Sequence, residues 1–285
     1  MLRKVIALAA LGLAFAAGPA SAAGQPEEPK SVAWSFAGPF GKFDTAQVQR
    51  GYKVYREVCA ACHSMDLMFF RNLGQKGGPF FDAEFKNPTE NPYVKALAKD
   101  IQVNDIDQET GDTVQRAGTA ADKFPSPFPN VTAAKASNGG LAPPDLSLIT
   151  KSRPGWYGTI NQLINGIGGP QYVYSVLTGY TPDDQMTEEL KQEQPEGKYH
   201  NPYFANGHWI GMPPPLSDGA VTFDDGTPNT VDQMARDVSA FLAWTAEPKM
   251  EERKRTGFMV LIYLVVNLIT DLLYAALDPR IRYGK

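Results

Sequence analysis

This chain of 285 residues has only two cysteines and spends both in the string Val58-Cys59-Ala60-Ala61-Cys62-His63-Ser64, which leaves it little freedom in what it can build around them. The spacing is C-x-x-C with a histidine directly behind. A thioredoxin-like redox pair needs a βαβ frame, and none precedes it. A structural disulfide leaves the adjacent histidine without a task. A zinc site needs two further ligands, for which the other histidines are His200 and His208. The reading that uses every residue is the C-x-x-C-H attachment signature of c-type haem, with thioethers from Cys59 and Cys62 and the His63 imidazole on the iron.

The surroundings of that string read as helical. Asp44 with Gln47 three residues on makes a helix start. Val48, Tyr52, Tyr55, Cys59 and Cys62 then follow at helical spacing, which predicts a helix over 44–60 with both sulfurs on its apolar face near the end. A second helix is predicted from about Val231 to Thr245, with a capping box from Thr230 to Gln233 and a stop before Pro248. Its apolar face is Val231, Met234, Val238, Phe241 and Leu242, and the two helices are expected to pack across each other. Segments 80–135 and 181–225 are rich in proline, aspartate and glycine and read as mostly irregular.

The two ends are apolar in different ways. Arg3 and Lys4, the run Val5 to Ala17 and the small residues Ala20-Ser21-Ala22 form a secretory leader over 1–22, too short in its apolar part for a permanent span. From Gly257 to Leu277 runs "GFMVLIYLVVNLITDLLYAAL", which as a helix is about 31 Å long and matches one membrane crossing. Basic residues flank it on both sides, so charge alone does not orient it. The leader does. The domain organisation expected is a leader over 1–22, a periplasmic body over 23–250, an anchor over 257–277 and a cytoplasmic tail over 278–285.

Residues 23–248 hold 18 basic and 27 acidic side chains, so the exported body carries a formal charge of about −9. The acids gather in Asp105 to Glu109 and Asp183 to Glu196. They are either ordinary solvated loops or a surface that steers a basic protein partner. Both the sign and the compartment disfavour a nucleic-acid role.

An iron held by His63 in an electron carrier takes a second axial ligand. Met186, His200, His208, Met212, Met234 and Met250 are the downstream candidates. Met212 leads, because it stands in "HWIGMPPPL" before three prolines whose fixed φ stiffens the loop. His208 is second. Met234 falls inside the predicted second helix and reads as core.

Taken in order, "VCAACHSMDLMFFRNL", "GLAPPDLSLITKSR", "GPQYVYSVLTGY", "GMPPPL", "FDDGTP" and "DVSAFLAWTAEPKMEERKR" resemble the cytochrome c1 family, bacterial type. That family is the haem subunit of the cytochrome bc1 complex, the quinol–cytochrome c oxidoreductase of respiratory and photosynthetic chains. The match runs from about Phe40 to the anchor. The resemblance implies a mainly α fold, a class I cytochrome c-like haem domain with large loop insertions plus one C-terminal transmembrane helix. It implies one covalent haem c on Cys59 and Cys62, with His63 and Met212 as axial ligands. Pro143, Pro144 and Leu146 would line the haem face, Arg153 would stand near a propionate, and Asn138 and Tyr172 match pocket positions. Some family members carry an extra disulfide in an inserted loop. This chain has no cysteines for one.

The same resemblance implies electron delivery by a Rieske iron–sulfur protein, removal by a soluble c-type cytochrome, and a dimeric complex that includes cytochrome b. The chain alone is expected to turn nothing over. Two other classes stay open on the residues: a membrane-tethered shuttle feeding an oxidase directly, and a peroxidase-type enzyme, which needs an open iron position. Tyr263, Asn267, Thr270, Asp271 and Tyr274 share one face of the anchor. Either Asp271 reaches the headgroups, or the stripe docks on a partner helix with Asn267 bonding across.

Overall fold

The computed structural model describes residues 26–153 and 168–277, so the leader 1–22 and the tail 278–285 lie outside the described residues. In chain order the elements are α1 (Thr45–Glu57), a 3₁₀ turn (Cys59–Ala61), α2 (Phe70–Gly74), α3 (Pro92–Lys99), β1 (Gln102–Ile106), β2 (Thr113–Ala117), α4 (Val131–Ser137), α5 (Ile149–Ser152), α6 (Gly169–Thr178), α7 (Glu188–Glu193), β3 (Tyr199–His200), β4 (Trp209–Ile210), α8 (Val231–Ala246) and α9 (Met250–Leu277). The chain is mainly α, as expected.

The core is built where α1 crosses α8. A Cβ on Gly51 would lie 2.0 Å from the Asp237 carbonyl oxygen and 2.7 Å from Phe241 Cβ, so only glycine lets the two backbones come this close. Around the crossing, Tyr52 and Tyr55 of α1 face Phe241 of α8 at ring-centroid distances of 5.7 and 5.6 Å. Phe124, Phe70 and Phe80 extend the cluster, and the Trp244 indole donates to the Gly77 carbonyl at 2.7 Å. Arg50 closes one side by donating to Asp237, whose side chain is fully buried. Gln233 donates to the other oxygen of the same carboxylate.

Both predicted helix starts are present, with Asp44 and Thr230 accepting from the backbone of Gln47 and Gln233. The capping box at Thr230 is half formed, because the Gln233 side-chain amide donates to Asp237 instead of turning back. The first helix stops at Glu57 rather than 60. The amides of Cys62 and His63 both converge on the Cys59 carbonyl, which closes a tight turn in place of another helical turn. Cys59 is therefore half-buried and Cys62 exposed, not two residues of one buried helical stripe.

The inserted regions hold more regular structure than their composition suggests. β1 and β2 form an antiparallel hairpin with Gln102 opposite Ala117 and Ile106 opposite Thr113. Its inward positions include Asp105, which pairs with Arg116, so apolar alternation is weak and the strands escape a hydrophobic reading. Arg116 also bonds Asp122, and the backbones of 120 and 122 accept from α2. In place of a disulfide, two fully buried asparagines fasten the loops. Asn91 donates to the Phe80 carbonyl at 2.8 Å and caps α3 by accepting from Tyr93 and Val94. Asn201 donates to the Val176 carbonyl at the end of α6, at 2.7 Å, and accepts from Tyr203.

The helix α9 is of another kind. It contains the whole window 257–277, and of its 28 residues Met250 alone is buried. An apolar helix this long with its side chains exposed is stable only in lipid or against partners. Asn267 and Thr270 donate to carbonyls of their own helix, at Tyr263 and Val266, which satisfies both side chains inside the helix.

Candidate functional site

The site grows from the turn that follows α1. Val58 makes the last helical bond, to Val54, and the chain then folds over the Cys59 carbonyl, presenting Cys59, Cys62 and His63 within one turn. Both thiols are unbonded to one another. Burial, with a smaller contribution from Cys62, pushes the Cys59 thiol up to about 12. A thiol so protonated is a poor nucleophile and a poor anionic ligand at neutral pH.

The His63 ring is oriented by a backbone group. Its Nδ1 lies 2.8 Å from the Pro144 carbonyl oxygen. A carbonyl oxygen can only accept, so Nδ1 carries the proton and Nε2 keeps its lone pair. Burial holds the His63 pKa below its usual value, although the Pro144 carbonyl and the Asp145 charge both act to raise it. The ring is a neutral imidazole with one nitrogen reserved for a ligand bond.

The loop that supplies this carbonyl is pinned to the turn by more than one bond. Leu146 N donates to the Ser64 carbonyl at 2.9 Å. Asp145 accepts from the Ser64 hydroxyl at 2.9 Å, from Asp66 N at 2.7 Å and from Ser147 N at 2.8 Å. Leu67 N donates to the Ser147 hydroxyl. Burial disfavours the Asp145 charge, yet the bonds from Ser147, Asp66 and Ser64 together hold its carboxyl below the usual range. Leu146 itself is buried in the main core.

The segment that carries Met212 meets the same loop at Leu141. A Cβ on Gly211 would sit 2.5 Å from Leu141 Cδ1, which places the methionine's neighbour against the stretch that carries Pro143 and Pro144. The Tyr180 hydroxyl donates to the Met212 carbonyl at 3.0 Å. Burial pushes the Tyr180 phenol up, so it stays a donor. Met212 is half-buried, whereas Met186, Met234 and Met250 are buried in packing positions. His200 is engaged with Thr181 through Nδ1 at 2.8 Å. His208 adopts φ +64 and its ring lies 6.1 Å from that of His200.

The remaining residues expected from the sequence are placed less tightly. Tyr172 is half-buried against the core, and its hydroxyl accepts from Ala205 N at 3.5 Å. The Asn138 amide donates to the Ala134 carbonyl and ends α4. Arg153 is exposed, donates to the Ser152 carbonyl and adjoins the segment outside the described residues. Sequence reasoning missed Asp145 and Tyr180. Asp145 had a signal, an Asx-turn pattern with Ser147 two residues on. Tyr180 had none, since its partner is 32 residues away.

The donor set fits a c-type haem: two unpaired thiols in one turn, a neutral imidazole with Nε2 unspent, and a thioether in a segment that meets the same loop. Leu141, exposed beside Gly211, is the kind of apolar surface a planar group would cover.

Comparison with known proteins agrees with this chemistry. The model of the Cytochrome C1 family matches residues 34–278. The cytochrome c1 of Blastochloris viridis is 42% identical over 281 residues, covering 96% of this chain and 94% of that protein. The cytochrome c1 of Cereibacter sphaeroides is 41% identical over 296 aligned residues, with the same coverage of each. A protein named cytochrome b/c1 from Bradyrhizobium diazoefficiens is 49% identical over 245 residues, and the chain spans about a third of its length, 34%.

Proposed function

We infer the role of this chain from one premise: it belongs to the cytochrome c1 family. Members carry one covalently attached c-type haem, and this chain is the haem-bearing, membrane-anchored electron-transfer subunit of a quinol–cytochrome c oxidoreductase of the cytochrome bc1 type. It accepts single electrons from a Rieske iron–sulfur subunit and passes them to a soluble c-type cytochrome. Cytochrome b is its other partner, and the complex is a dimer. Turnover belongs to the assembly and not to this chain alone. The body, residues 23–250, faces the periplasm, 257–277 cross the membrane, and 278–285 form the cytoplasmic tail.

One observation supports the site above all others: Nδ1 of His63 is committed to the Pro144 carbonyl at 2.8 Å, leaving Nε2 for a metal. Cys59 and Cys62 would form the thioethers, with His63 and Met212 as axial ligands. The bound group supplies a reversible one-electron couple, whose potential methionine ligation raises. The chain's own part is geometric. Pro144 fixes the imidazole plane and raises its basicity, Asp145 holds Pro144 in place, and the prolines 213–215 stiffen the thioether's loop. Pro143 and Leu146 give the site an apolar face. Asn138, Arg153 and Tyr172 keep the pocket roles the family implies, with Arg153 opposite a propionate.

The acidic body gives the encounter with a basic cytochrome its long-range attraction. Electron transfer to such a partner should slow as salt rises, and a rate indifferent to ionic strength would show that the acidic loops steer nothing.

The deciding experiment is the absorption spectrum of the membrane-extracted protein, oxidised and reduced, beside Met212→Leu. A low-spin c-type spectrum with a methionine–iron charge-transfer band that the variant lacks supports the assignment. A high-spin or cyanide-binding iron in the unaltered protein overturns it and reopens the enzyme reading.

A further inference from the structure

The segment just before α1 forms a closed strap around the foot of α9. Lys42 N donates to the Ser35 carbonyl at 3.0 Å and Ala37 N to the Trp34 carbonyl at 3.0 Å, so 34–42 folds back on itself. Trp34, Phe36 and Phe43 stack inside it, at centroid distances of 5.3 and 4.7 Å, and fix it to the core. The strap grips α9 by two side chains of that helix. The Lys254 ammonium donates to the carbonyls of Phe36 at 2.7 Å and Gly41 at 3.2 Å. The Glu251 carboxylate accepts from Phe43 N at 2.9 Å.

The tip of the strap is Gly38-Pro39-Phe40, and it runs in the other direction. Phe40 is 69% exposed, although its neighbours Phe36 and Phe43 are packed inward. Its ring meets Phe258 edge-on, 5.2 Å between centroids. Phe258 is the second residue of the apolar run that enters the membrane. Phe40 therefore stands level with the first turn of the lipid-embedded helix and continues its apolar surface. Exposed near that level are the basic Lys42 and Arg255 and the acidic Glu252, while Arg253, further up the helix, pairs with Glu247 at 3.3 Å.

We propose that the 37–42 strap is a second membrane contact, in which Phe40 inserts at the boundary of headgroups and acyl chains, with Lys42 and Arg255 at headgroup level. A lone transmembrane helix leaves a domain able to tilt and swivel over the bilayer. An inserted aromatic beside it removes that freedom. Because α1 begins three residues after the strap and ends at the Cys59 turn, the strap sets the height and tilt of the electron-carrying site above the membrane. The alternative occupant of this surface is a partner subunit. Lipid is favoured by the continuity of Phe40 with the exposed apolar surface of the anchor, which begins at Phe258. The inference rests on the reading of α9 as the anchor.

The test is nitroxide accessibility in the full-length, haem-loaded protein, placed in nanodiscs of phosphatidylcholine and phosphatidylglycerol. Haem attachment consumes Cys59 and Cys62, so a label goes to the introduced thiol. Labels are placed by Phe40→Cys, by Leu264→Cys inside the anchor and by Glu109→Cys in the exposed hairpin turn. Collision with oxygen relative to a water-soluble nickel chelate reads depth. The expected result is an oxygen preference several-fold higher at 40 than at 109, approaching that at 264, and lost when Lys254→Met releases the strap. A label at 40 that behaves like 109 while 264 reads as lipid overturns the strap alone. So does a label at 40 shielded from both reagents in the assembled complex, which would assign the surface to a partner subunit. A label at 264 that reads as water overturns the anchor and the strap together.

Discussion

The segment that carries His63 and the segment that carries Met212 lie against the same loop, 138–146, yet they are fastened to it by different means. On the His63 side the backbone and side chains of 63–67 are tied to 144–147 by direct hydrogen bonds, with Asp145 accepting two of them and a third from Ser147 N within its own loop. On the Met212 side the Tyr180 hydroxyl donates to the Met212 carbonyl, and the contact with the loop is apolar, through Gly211 and Leu141. The reason is chemical. Residues 213–215 are prolines, which have no N–H to give, so this side is stiffened by fixed φ angles instead of by bonds. The His63 side is oriented by a network and the Met212 side by the covalent rigidity of its own chain. The first arrangement fixes a ring plane. The second fixes only a position, which is all a thioether requires.

The largest effect that separates the two sides comes from Met212→Leu. It removes the donor but leaves the loop's stiffness, so folding should survive while the midpoint potential falls by a substantial part of the roughly 0.8 V that axial ligands control. Redox titration followed optically measures it. An unchanged potential would move the sixth ligand to another residue. Asp145→Ala comes next. It strands three donors, one hydroxyl and two amides, at a partly buried position, where hydrogen bonds to a charged acceptor contribute about 1–2 kcal/mol each after solvent screening. The thermal midpoint of the detergent-solubilised protein should drop by on the order of 10 °C, and the shift should come with a change in the axial-ligand spectrum. A fall in stability with the spectrum intact would make Asp145 a strut of the loop with no bearing on His63.

Asp145→Asn refines that result through pH. A carboxyl held below its unfolded value takes up a proton less readily in the folded chain. Its stabilisation is present above the unfolded value of about 3.9 and is lost as pH falls through the folded one. The stability gap between the parent and Asp145→Asn should therefore be constant near neutrality and close as the solution is acidified below about pH 4. Denaturant melts across that range check it, and a gap that widened in acid would mean the bonds do not favour the charged form.

How much of this could be read in the sequence follows the reach of each interaction. Asp44 and Thr230 were legible as caps because a cap bonds three residues away. The crossing of α1 and α8 was legible from two apolar stripes, but Gly51 as its contact point was not, since nothing local distinguishes it from any helical glycine. The end of α1 was overshot. Helical spacing through Cys59 and Cys62 continues on paper, whereas the Cys59 carbonyl in fact takes two amides at once. The hairpin 102–117 was hidden because a buried-facing position holds Asp105, an ion-pair partner and not an apolar residue. Nothing local in the sequence separates Asn91 and Asn201 from other asparagines, and only burial reveals them as the fasteners that stand in for a disulfide. Cys59, Cys62, His63 and Met212 are expected at the site from spacing and resemblance, whereas Asp145 and Tyr180, which hold their segments, depend on contacts 32 to 81 residues apart.

The smallest predicted effect belongs to Tyr180, on the weaker side. Tyr180→Phe keeps the ring and its packing and deletes one hydroxyl, so the loss in stability should be about 1 kcal/mol. If the Met212 segment owes its position chiefly to its prolines, the spectrum and potential of the variant should stay as they are, and added imidazole should displace the thioether only slightly faster. If the Tyr180 bond matters as much as the bonds around His63 do, imidazole exchange should quicken several-fold with little change in the thermal midpoint. Exchange rate and midpoint measured together distinguish the cases. Rigidity from prolines costs no partner, so a single hydrogen bond there can be lost without moving the Met212 side chain.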